Sequence, residues 1–154
     1  MSATGKRLAT VAVFVAVAVG GAIAFAHGSL TTLFTVTPAE MKFVANPAQP
    51  GLSSSVLVGD PGKSGIYVMH LRIPAAFKLA PHSHAEAWRV ATILSGTLYY
   101  GQGDTFDEGK LKALGPGSVI VEPRDQPHFA MTRDDAVTLQ LVAEGPAATT
   151  PVRK

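Results

Sequence analysis

Pro81-His82-Ser83-His84-Ala85-Glu86 and, further along, Gly117-Ser118-Val119-Ile120-Val121-Glu122-Pro123-Arg124-Asp125-Gln126-Pro127-His128 carry the strongest signals in the chain. Residues two apart on a strand share a face, so His82 and His84 can look into one interior. His128 follows a turn-rich link, Pro123 to Pro127, and can enter the same interior from a neighbouring strand. Neutral imidazoles gathered in this way suit iron, manganese, nickel, copper and zinc, so the ligand set implies one divalent transition metal without naming it. The chain has no cysteine, which leaves histidine and carboxylate as its metal ligands and excludes a disulfide framework.

The sequence around these stretches is β in rhythm. Ser54–Val58 stops at the turn signal Gly59-Asp60-Pro61-Gly62. Gly65–Ile73 alternates, with Tyr67, Met69, Leu71 and Ile73 on one face, and Pro74 ends it. Val90–Leu94 and Thr97–Tyr100 flank Ser95-Gly96, which predicts a tight hairpin. Ser118–Glu122, Phe129–Thr132 and Ala136–Val142 complete a series of short, evenly spaced strands, the pattern of an all-β sandwich or barrel. Thr37-Pro38-Ala39-Glu40 is a capping box with proline at the first helical position and predicts one helical turn; a second turn is expected within 103–114.

Ahead of this domain, Lys6 and Arg7 precede an uncharged apolar run, Leu8 to Ala26, that closes on Ala24-Phe25-Ala26. A basic start, an apolar core and a small-residue end read as a cleavable signal peptide over 1–26. The expected location is therefore periplasmic or secreted. An uncleaved run would instead anchor the chain in a membrane. The chain has 13 basic and 11 acidic residues, and removal of Lys6 and Arg7 brings the two into balance, so no nucleic-acid footprint is expected. The segment 27–36 reads as a lead-in, 37–146 as the domain and 147–154 as a flexible tail.

With these residues in place, the chain resembles the cupin family, specifically its small single-domain bacterial members. The first cupin motif (glycine, five residues, H-x-H, three or four residues, glutamate, six residues, glycine) matches at His82, His84 and Gly96, with Ala76 in the first glycine slot. The second (glycine, five residues, P-x-G, two residues, histidine, three residues, asparagine) matches at Gly117, Pro123 and His128, with Asp125 in the inner glycine slot and Thr132 in the asparagine slot. The resemblance implies a jelly-roll-like antiparallel β-barrel, a metal site, and activity of the oxygenase, isomerase or lyase class on a small organic molecule. It also implies pairing into a homodimer.

One departure stands at the site. Counting back from Gly96, the family's glutamate slot is occupied by Arg89. A like charge about 5 Å from a metal ion costs on the order of 3 kcal/mol at an effective dielectric near 20. Arg89 therefore turns away or faces an anionic ligand, and it is a candidate substrate contact together with Tyr99. Three ligand arrangements follow: His82, His84 and His128 alone; the same three with Glu86 supplying a carboxylate; or a degenerate site without metal, in a non-enzymatic binding module. Glu122 follows the Val119/Val121 pattern and reads as a solvent-side residue.

Overall fold

The computed structural model describes residues 30–153; the expected signal peptide, 1–26, lies outside the described residues. Among the described residues eleven strands follow one another: β1 (Val44–Ala45), β2 (Ser53–Val58), β3 (Gly65–Ile73), β4 (Lys78–His84), β5 (Trp88–Ser95), β6 (Leu98–Gln102), β7 (Lys112–Leu114), β8 (Val119–Pro123), β9 (His128–Met131), β10 (Val137–Gly145) and β11 (Thr149–Pro151). They form two sheets, one of six strands in the order β1-β2-β3-β10-β5-β8 and one of five in the order β11-β4-β9-β6-β7. Every pairing is antiparallel.

The first sheet turns a strictly alternating face inward. In β10, Val137, Leu139, Leu141 and Ala143 are buried, while the residues between them are not. The first three of these, with Leu52, Ile73, Ala91, Ile93, Ile120, Leu98, Leu114 and Ala130, make the hydrophobic core. Burial of apolar surface at roughly 25 cal/mol per Å2 makes this layer the main source of stability in a chain without disulfides.

Towards one end of the sandwich the inward face of the six-stranded sheet changes character. Tyr67, Ala143, Arg89 and Glu122 fall in one row across β3, β10, β5 and β8. The buried Ala143 keeps the middle of this row small, beside the polar ends of its neighbours.

Five expectations are corrected. The two sheets are not closed into a barrel by strand pairing. Ser95-Gly96 is not the turn of a hairpin, because β5 and β6 belong to different sheets and the turn carries the chain across the core. Gly96 is needed there: its φ is +74°, and a Cβ would run into the carbonyl oxygen of Ala136. The stretch 147–154 is not a loose tail, since β11 pairs with β4. Glu122 is buried, with Ile120, while Val119 and Val121 are exposed. Of the smaller signals, Glu108–Lys110 form the expected single turn, a 3-10 turn capped by Asp107, whereas Thr37–Glu40 form a hydrogen-bonded turn and no helix. Thr37 N–H donates to the Glu40 carboxylate as in a capping box, but Oγ1 donates to it too instead of accepting from the Glu40 N–H.

Both non-glycine residues in the motif's glycine slots adopt the left-handed backbone those slots call for. Ala76 has φ +53° and Asp125 φ +56°, and among the described residues no other non-glycine residue has positive φ. At Asp125 the turn is tied down by its N–H, which donates to the carbonyl of His84 at 2.9 Å. That bond fixes the β8–β9 link, and so His128, against the strand carrying the other two histidines.

Candidate metal centre

β4 and β9 pair with His82 directly opposite His128, and His84 lies one pleat along β4. Ring centroids are 4.5 Å apart for His82–His128, 5.0 Å for His82–His84 and 5.1 Å for His84–His128. One ligand nitrogen from each ring lies within 4.8 Å of the others. His84 and His128 are buried and His82 is partly so.

The outward nitrogens are already engaged. His82 Nδ1 is 2.7 Å from the Ala80 carbonyl and His128 Nδ1 is 3.0 Å from that of Gln126. A carbonyl only accepts, so in both rings Nδ1 carries a proton, and the neutral form of each ring presents the Nε2 lone pair inward. The Thr149 hydroxyl, from β11, lies 3.3 Å from His84 Nδ1. His84 Nε2 is buried with no hydrogen-bond partner. A buried imidazole nitrogen costs free energy when left unpaired, and a metal ion is one partner that satisfies it. The donor set therefore fits a transition metal.

Electrostatics favour the neutral ligand form. Burial, with smaller contributions from His128 and Arg89, holds His82 down to about 4. Burial, then the Arg89 guanidinium and the two neighbouring imidazoles, lowers His84 to about 2. At neutral pH both can coordinate without first losing a proton.

Around the histidines lies a charged layer formed by Arg89, a candidate contact in the sequence, and Glu122, which the sequence suggested would face solvent. Glu122 Oε2 accepts from Arg89 Nε at 2.8 Å, and the side chains are only 4% and 14% exposed. Glu122 Oε1 is 3.3 Å from His128 Nε2, and Oε2 is 4.0 Å from His84 Nε2. Tyr100 stacks on His128 with centroids 5.3 Å apart, and burial together with Glu122 raises its phenol so that it stays protonated. Burial and Glu86 do the same to Tyr67.

Glu86 does not join the histidines. It is buried, but Oε1 accepts from the Tyr67 hydroxyl at 2.8 Å and Oε2 from the Ala148 N–H at 3.3 Å. Regular alternation would have put it beside His84, but β4 ends at His84, so the parity argument stops there. Arg89 does face inward, into an ion pair with Glu122. Tyr99 occupies the face of β6 opposite Tyr100, where the Arg133 guanidinium lies 4.2 Å over its ring. Glu122 is the residue the sequence reading missed. No local signal in the sequence marks it: what couples it to Arg89 is cross-strand register, which the fold supplies.

Comparison with known proteins bears on the fold. No family model matches the chain. Germin-like protein 2-3 of Oryza sativa subsp. japonica is 33% identical over 75 residues, 46% of this chain, and the match spans only 34% of that protein's length. Among solved structures, the polyketide cyclase RemF from Streptomyces resistomycificus superposes with a TM-score of 0.66 at 20% identity, covering 80% of this chain and 87% of the cyclase. A sugar phosphate isomerase from a cupin superfamily, from Silicibacter pomeroyi, gives 0.57 at 19% identity over 73% of this chain and 76% of its own. Together with the two facing antiparallel sheets, these likenesses establish that the chain has the cupin, or double-stranded β-helix, fold.

Proposed function

We propose that the protein is an exported, periplasmic or secreted, metal-binding cupin that acts on a small organic molecule through one divalent transition metal held by His82, His84 and His128. The buried, unpartnered Nε2 of His84, facing two further lone pairs, carries this reading. The reaction classes are oxygenase, isomerase or lyase; fold alone does not choose among them, and the named structural neighbours include a cyclase and an isomerase. A bound metal would supply Lewis acidity or a centre for oxygen activation. The chain's own residues orient and insulate it. Carbonyls of Ala80 and Gln126 fix two imidazoles, Tyr100 covers His128, and the Arg89–Glu122 pair closes the side facing the six-stranded sheet.

The reading includes removal of residues 1–26 on export. It also includes a homodimer, for which Val119 and Val121, 58% and 63% exposed on the outer face of β8 beside Trp88, offer an apolar surface. A non-enzymatic metal- or ligand-binding module is the second reading. The observation favouring it is that Arg89, the candidate anchor for an anionic substrate, is turned into an ion pair with Glu122.

Elemental analysis of protein purified from its native compartment, beside a His82→Ala/His84→Ala control, tests the site. The expected result is about one equivalent of metal, absent from the control. No metal in the native protein and none taken up on reconstitution would reject both the site and the enzyme reading.

A further inference from the structure

Resting on the three-histidine reading, we propose that Glu122 supplies a fourth, anionic ligand to the metal centre from the opposite sheet, and that Arg89 is the positioning residue holding its carboxylate in place. The motif slot that would carry a glutamate on β5 carries Arg89, and its cross-strand partner on β8 is Glu122. A carboxylate thus reaches the interior from one strand further over.

Three observations support the assignment. Glu122 is buried at 5% exposure, a setting in which a carboxylate needs counter-charge. Its Oε1 stands 3.3 Å from His128 Nε2, which in the neutral ring presents a lone pair, the opposite nitrogen holding the proton that the Gln126 carbonyl accepts. Two acceptors facing each other at that distance repel unless a cation or proton lies between them. The spacing also matches the distance of about 3 Å between adjacent ligand atoms that metal bonds of about 2.1 Å produce. Finally, Glu122 Oε2 is engaged by Arg89 Nε at 2.8 Å, so one oxygen is anchored while the other points to the histidines. Glu86, the other buried carboxylate near the centre, has both oxygens occupied by Tyr67 and Ala148.

The test is Co2+ titration of metal-free protein, read by the visible ligand-field spectrum, with Zn2+ affinity measured by chelator competition. Four proteins are compared: wild type, Glu122→Gln, Glu122→Asp, and the Arg89→Gln/Glu122→Gln pair, which keeps the net charge of the interior. Ligation predicts at least about 10-fold weaker binding and an altered Co2+ spectrum in Glu122→Gln, partial recovery in Glu122→Asp, and no recovery in the pair. Wild-type affinity and spectrum in Glu122→Gln would overturn the assignment. So would wild-type affinity in the pair, which would show Glu122 acting only as the counter-charge of Arg89. If wild type itself takes up no Co2+ or Zn2+, or His82→Ala/His84→Ala binds as well as wild type, it is the three-histidine reading that fails. Should Glu122→Gln not fold with Arg89 left uncompensated, the charge-balanced pair carries the same spectral readout.

Discussion

Ala76→Gly should stabilise the protein, although it removes a methyl group and adds a glycine. Ala76 sits in the link between β3 and β4 with φ +53°, exposed to solvent, its N–H donating to the Arg133 carbonyl at 2.7 Å. An L-residue held in the left-handed region is strained by about 1–2 kcal/mol. Glycine releases that strain but loses more backbone freedom on folding, at a cost of about 0.5–1 kcal/mol. No packing is lost at an exposed alanine and the backbone hydrogen bond is untouched, so the net gain is about 0.5–1 kcal/mol. For a domain of this size that raises Tm by about 3 °C. Asp125 provides the internal contrast. Its φ is almost the same, +56°, but aspartate tolerates the left-handed region better than alanine, so Asp125→Gly should change stability by only a few tenths of a kcal/mol. Thermal and urea unfolding of the metal-free proteins measure both. If Ala76→Gly lowers stability, or the two variants shift equally, the attribution of strain to the backbone at position 76 is wrong.

Two further perturbations have defined outcomes. Both His82 and His84 are held well below the ordinary histidine value, at about 4 and about 2, so the folded metal-free protein binds fewer protons than the unfolded chain. Its stability is complete above pH 6.5 and falls as the pH drops, by up to about 1.4 kcal/mol per unit for each histidine, until His82 protonates in the folded state near 4. Urea melts between pH 6.5 and 5 should show this slope in wild type and a flatter one in His82→Ala/His84→Ala; equal slopes would contradict it. Thr132→Val should cost about 1–3 kcal/mol, because the fully buried hydroxyl donates to the Pro74 carbonyl at 2.6 Å and accepts from the Phe77 N–H at 2.9 Å. A urea midpoint unchanged within error would show that water replaces both bonds.

The histidine constellation and the strand rhythm were legible because each is local: a two-residue period places His82 with His84, and turn residues mark the strand ends. The glycine slots were legible too, since a motif position requiring positive φ imposes it on alanine and aspartate alike. Cross-strand facts were not. Glu122 was put on the solvent side because valine at 119 and 121 is more hydrophobic than the pair Ile120/Glu122. Yet β8 is an edge strand whose outer face is apolar and whose inner face ends at a charged centre. Ser95-Gly96 carries hairpin residues, but a turn between two strands of one sheet and a crossing between two sheets need the same local backbone. β11 has no periodicity to announce it; it is a strand because β4 offers a free edge.

That last strand has a consequence for how the centre comes into being. His84 meets Thr149 across a separation of 65 residues, and Glu86 meets Ala148 across 62. Contacts so distant along the chain form late, because the loop between them must close first. During synthesis, then, the histidines of β4 are made early and wait, unsupported, for the residues that set the His84 ring and occupy Glu86. Until β11 pairs with β4, His84 Nδ1 and the Glu86 carboxylate lack the partners that this part of the chain brings. A metal bound at the three histidines would therefore meet its final surroundings only once β11 has docked.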